Sequence, residues 1–88
     1  MRVENIKSRN GNAVPNQFII HAENAEYFQS YKVIIAKRDY LTCEYTLDVN
    51  YWDYSVTTGK YRNIFLGENK SETEKKIKSG EYTLTDLN

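Results

Sequence analysis

The chain has 88 residues, and its twelve Lys and Arg balance twelve Asp and Glu, so it is formally neutral. A chain this short buries only about 60% of the surface its unfolded form exposes, which allows one small core and excludes two domains or a deep enclosed active site. Neutrality also weighs against a dedicated nonspecific DNA binder, which carries a basic excess, although a neutral total can hide a one-sided distribution.

Val3 to Ser8 is the first expected strand, with Val3 and Ile6 as its apolar points. Asn10-Gly11 follows, a pair suited to a hairpin because both residues tolerate positive φ. Pro15 limits regular pairing before the next strand. Gln17 to Ala22 (QFIIHA) alternates so that Phe18, Ile20 and Ala22 share one face, taken here as the core face, while Ile19 and His21 share the other. Tyr27 to Ser30 returns, and Val33 to Lys37 is a second apolar run around Ile35. Tyr31-Lys32 is either a bend in one long strand or a tight turn between two. Arg38-Asp39 reads as a turn, and Thr42 to Leu47 places Cys43 inside a strand. The front half, about residues 1–48, is therefore a meander of four or five short antiparallel strands.

The pattern changes after Asp48. Tyr61, Ile64 and Phe65 recur at helical spacing, Thr57 or Thr58 offers an N-cap, and Gly67 stands where a left-handed C-cap belongs. In KSETEKKIKSG, Ser71 and Glu74 have the spacing of a capping box, and Gly80 closes the helix. Its single strong apolar residue is Ile77. The tail from 81 to 88 alternates Tyr82 with Leu84, as a short last strand would, before Leu87 tucks in. The expectation is one α+β domain over residues 1–88: meander, two short helices over about 49–80, and a C-terminal strand or tail.

Candidate sites are few. TTGK at 57–60 lacks the glycine of a phosphate loop, since Tyr54 occupies that position, and Tyr61 stands where a Ser or Thr must follow the lysine. His21 is the single histidine and Cys43 the single cysteine, so no metal set is evident and no cofactor is implied. A Cys43–His21 nucleophile and base pair is arithmetically available, but neither residue sits in a motif with known mechanics. Trp52, Tyr61 and Phe65 are needed as core between sheet and helix. That leaves Tyr54, Lys60 and Arg62, with Tyr31 and Tyr51, as residues free to contact a partner. Lone Cys43 fits a reducing, cytoplasmic setting; MRVENIKSRN shows no signal-peptide pattern, and no apolar run reaches the ~20 residues of a membrane span.

Taken together, NQFII at 16–20, YFQSY at 27–31, WDYS at 52–55, TTGKYRNIFLGE at 57–68 and TEKKIKSGEYTLTDLN at 73–88 resemble a family of small uncharacterised proteins of bacteriophages, prophages and other mobile elements. The likeness runs from about Val3 to the end and is weakest around Arg38 to Val49. It implies a bacterial host cell as the setting and supplies no catalytic residue. In that setting the expected role is a non-enzymatic accessory protein that binds a host protein. A counter-defence inhibitor of the anti-CRISPR kind is its sharpest form, using a few aromatic and arginine anchors. A nucleic-acid-binding accessory protein is the alternative, with Lys60, Arg62 and the second helix's lysines on phosphates. A homodimer through a free sheet edge is a further expectation.

Overall fold

The computed structural model describes all 88 residues. One six-stranded sheet, in sequence order, is formed by β1 (Arg2–Lys7), β2 (Ala13–His21), β3 (Ala25–Ser30), β4 (Val33–Asp39), β5 (Tyr45–Asp48) and β6 (Thr83–Thr85). Helices α1 (Val56–Leu66) and α2 (Lys70–Ser79) intervene between β5 and β6. β1 to β5 are antiparallel neighbours, and β6 pairs parallel with β5. The expected α+β architecture is present, with the tail as a sixth strand. No helix is long and apolar enough to cross a membrane.

Both helices lie on one side of the sheet. The core cluster of Ile6, Phe28, Ile35, Ala36, Leu47, Leu66 and Tyr82 fills the space between. Ile19, Val33, Tyr45, Tyr51, Trp52, Tyr61, Phe65 and Ile77 pack around it half-buried, as expected for Trp52, Tyr61, Phe65 and Ile77. Phe65 stacks on Phe28 at 5.9 Å and meets Tyr45 edge-on at 6.0 Å, which ties α1 to β3 and β5. The β3–β4 ladder slips at Phe28/Gln29, leaving Ile35 without a ladder partner, and both Ile35 and Ala36 are buried.

The face of β2 is the reverse of that expected. Gln17 stands opposite Ser30 and Ile19 opposite buried Phe28, so Gln17, Ile19 and His21 face the helices. Phe18 and Ile20 pair with Gln29 and Tyr27 and belong to the uncovered side. They are half-buried among their neighbours on that side and lie outside the core. Strand limits shift as well. β2 begins at Ala13, but its ladder with β1 jumps from Asn5↔Phe18 to Lys7↔Ala13, so residues 14–16 bulge around Pro15. Asn16 sits there at φ 66°. β4 continues through Asp39, whose carboxylate accepts N–H bonds from Leu41 and Thr42 and shapes the following turn. Cys43 therefore lies in that turn, exposed and at φ 61°, and not in a strand.

Helix ends also differ. The N-cap of α1 is Ser55, whose Oγ accepts the Thr58 N–H at 3.1 Å. Thr57 is a helical residue, and Thr58 is buried with its hydroxyl 2.8 Å from that of Ser30. The capping box of α2 is Asn69 with Glu72, two residues before the expected Ser71 and Glu74. Starting there lengthens the helix and brings Thr73 and Lys76 onto Glu68. Gly67 and Gly80 are the left-handed C-caps expected. Ile64, expected in the core, is 58% exposed. The buried stripe of α1 is Thr58, Arg62 and Leu66, with Tyr61 and Phe65 beside it, so Ile64 points away.

Candidate partner-binding cleft

The β3–β4 connection is a two-residue turn, and Tyr31 occupies it at φ 57°. A bulky aromatic in the left-handed region is uncommon and strained. It is held there by its N–H donating to Asn16 O at 2.7 Å and its carbonyl accepting Gln29 Nε2 at 2.8 Å. Asn16, itself left-handed, thus braces Tyr31 across the β2–β3 hairpin. The side chain of Tyr31 remains 45% exposed.

Across from this turn, the chain leaves β5 through buried Asp48. One carboxylate oxygen accepts the N–H groups of Asn50 and Tyr51, each at 2.9 Å. The other accepts Leu87 N–H at 2.7 Å and Asn88 Nδ2 at 3.0 Å. One side chain therefore shapes the turn into α1 and anchors the C-terminal tail. Tyr51 is half-buried against the core and meets Tyr54 edge-on at 5.6 Å, leaving Tyr54 55% exposed. Tyr54 and Tyr31, 23 residues apart in sequence, face the same open cleft. Asn16, Lys32, Val33, Ser55 and Thr57 complete its walls, and its volume is about 590 Å³. That size is usual for ligand or side-chain pockets.

The expected contact residues divide accordingly. Tyr31 and Tyr54 share the cleft, and Tyr51 backs it. Lys60 is exposed on α1, its ammonium 5.4 Å from the Tyr61 ring, in a neighbouring depression with Asp53 and Lys70. Arg62 is a correction: at 1% exposure it presents no surface to a partner. Its Nη1 donates to Trp52 O at 2.8 Å and to Asp53 Oδ1 at 3.3 Å, and its Nη2 donates to Asn63 Oδ1 at 3.0 Å. The guanidinium also lies 5.3 Å from the Trp52 ring. Arg62 is thus the polar centre that fastens the 52–54 turn to α1. Asn16, Lys32, Val33 and Ser55 carried no binding signal in sequence, because only the hairpin geometry brings them to Tyr54.

His21 and Cys43 do not form a nucleophile and base pair. His21 Nδ1 lies 3.2 Å from the Tyr40 hydroxyl and 3.7 Å from Glu26, and its Nε2 is 3.4 Å from Glu4. Cys43 Sγ is instead 3.6 Å from Arg38 Nη2. No cluster of three His, Cys, Asp or Glu side chains has the geometry to hold a metal ion.

Residues 1–81 match the model of a family of unknown function, DUF8033. The chain belongs to this family. No curated protein and no solved structure matches it. For this DUF8033 member the cleft is therefore judged on its own chemistry. It combines two exposed phenol rings with Lys32, Ser55 and Thr57, and the Tyr31 backbone is held by its bonds to Asn16 and Gln29.

Proposed function

We propose that the protein acts without covalent chemistry, as a binding module that grips a host protein through the Tyr31–Tyr54 cleft. The observation that carries this is the convergence of two exposed tyrosines on one cleft, one of them held in a strained conformation. Strain of this kind persists where the surroundings enforce it and is concentrated at binding and active sites. Exposed aromatics on a rigid frame are the usual anchors of protein interfaces. The resemblance to phage and prophage proteins supports a bacterial cell as the setting and a defence effector as the class of partner. Protein is favoured over nucleic acid because two lysines available for phosphates are already paired, Lys70 with Asp53 and Lys76 with Glu68, each at 2.7 Å.

The test is to identify the host protein that co-purifies, then titrate it with variants. Tyr54→Ala and Tyr31→Gly should each weaken binding about tenfold or more, the range of an interface anchor, while Lys75→Ala on exposed α2 should not. Tyr31→Gly suits the left-handed turn, so it should leave the thermal midpoint at or above that of the parent. Unchanged affinity in both tyrosine variants overturns the assignment. So does a partner that proves to be an oligonucleotide whose affinity falls steeply with salt.

A further inference from the structure

The side of the sheet away from α1 and α2 is covered by neither helix, yet its middle is apolar. Strand pairing places Val3, Ile20, Tyr27, Lys37 and Thr46 in one row across β1 to β5, and Asn5, Phe18, Gln29 and Ile34 in the next. An antiparallel sheet with one solvated face normally alternates apolar inside and polar outside. β2 and β4 depart from this: Phe18-Ile19-Ile20 and Val33-Ile34-Ile35 are apolar on both sides. Val3 is 57% exposed, and the other four apolar side chains, Phe18, Ile20, Tyr27 and Ile34, are half-buried. Among these nine residues only Lys37 is charged, in a chain with 24 charged residues of 88. Its ammonium lies back over the Tyr27 ring at 6.0 Å.

We propose that this face is a homodimer interface in which two sheets pack against each other. Charge depletion with aromatic and branched aliphatic residues at the centre is the composition of an interface core. An almost uncharged surface offers nothing to select a charged partner and is complementary to a copy of itself, as a twofold interface requires. Size agrees as well. The molecule measures 36 × 29 × 21 Å, and its thin dimension accommodates one sheet and one helix layer, so the bare sheet is a broad face. It can supply the ~800 Å² per copy that a standard stable interface uses. The Tyr31–Tyr54 cleft opens between the β3–β4 turn and the start of α1, away from this face, so it stays free in the dimer.

Sedimentation equilibrium of the full chain reads the result. The parent should sediment at twice the mass of one chain, with a dissociation constant on the order of micromolar or tighter. Ile20→Glu should be monomeric with an unchanged circular dichroism spectrum. Val3→Glu, at a position already exposed and therefore safe for folding, should weaken the dimer at least about tenfold, because burying an unpaired carboxylate is unfavourable. Ile64→Glu, on the helix side, should leave the dimer intact. A parent that stays monomeric at high concentration overturns the proposal and leaves the face to a different partner. A dimer that survives Val3→Glu, or is broken by Ile64→Glu, overturns it by placing the contact elsewhere.

Discussion

Gln17 is the least comfortable side chain in the core. It is fully buried opposite Ser30, and neither its amide oxygen nor its nitrogen has a hydrogen-bond partner. The Ser30 hydroxyl bonds that of Thr58 instead. A buried amide without partners costs about 1–3 kcal/mol relative to solvation. Gln17→Met keeps the length of the side chain and removes both polar atoms. It should raise stability by about 1–2 kcal/mol, read as a higher urea midpoint with an unchanged slope. A lower midpoint would mean that the amide is satisfied in solution. Sequence did not expose this position. QFIIHA is apolar at three consecutive sites, so alternation alone does not choose its inner face. The choice is made by the partner strand, where Phe28 faces Ile19 and Gln29 faces Phe18.

At the scale of elements, α1 is held by a polar stripe, and this explains most of what sequence misplaced. A search for apolar residues at helical spacing selects Tyr61, Ile64 and Phe65, yet the buried positions are Thr58, Gly59, Arg62 and Leu66, with Thr58 and Arg62 the deepest side chains. An arginine reads as surface because a buried guanidinium needs several acceptors at once. Here Trp52 O, Asp53 and Asn63 supply them, two from a turn that sequence does not position. Caps were legible in kind but not in register. Ser55, Thr57 and Thr58 are all competent N-caps, and Asn69–Glu72 has the same spacing as Ser71–Glu74. Gly67 and Gly80 were unambiguous, since a C-cap in the left-handed region selects glycine. Gly59 is different. A Cβ there would meet Arg62 Nη2 at 3.5 Å, an ordinary contact, and the position is helical. Gly59→Ala should therefore stabilise the fold by about 0.5–1 kcal/mol through helix propensity. A raised thermal midpoint checks it, whereas a fall would show that the guanidinium has no room to accommodate a methyl group.

For the whole molecule, the chain is closed by carboxylates that join elements distant in sequence, and this fixes its response to pH. Asp48 binds the tail to the start of the helical half, Asp53 joins Arg62 to Lys70, and Glu68 gathers Thr73, Lys76 and Tyr82. Burial pushes each of these carboxyls up, but the bonds they accept outweigh it and hold all three below their ordinary values. For Asp48 those donors are Leu87, Asn50, Asn88 and Tyr51; for Asp53 they are Lys70 and Arg62. A carboxyl lowered in the folded state is protonated first in the unfolded chain. Its contribution is therefore complete above the ordinary values of 3.8 for Asp and 4.5 for Glu and is lost as pH falls through the folded ones. The alkaline side mirrors this. The hydrogen bond to Glu68 raises Lys76, and burial followed by the same carboxylate raises Tyr82. Groups raised in the folded state contribute below their unfolded values and lose that contribution as pH climbs past them. The thermal midpoint should form a plateau around neutrality, falling below about pH 4.5 and again above about pH 10. Glu68→Gln removes the charge that both limbs share. It should lower the plateau and flatten both shoulders, whereas Asp48→Asn should flatten the acid one alone. Circular dichroism melts across that range distinguish the two, and a parent profile without an acid shoulder would deny these carboxylates their role in closing the fold.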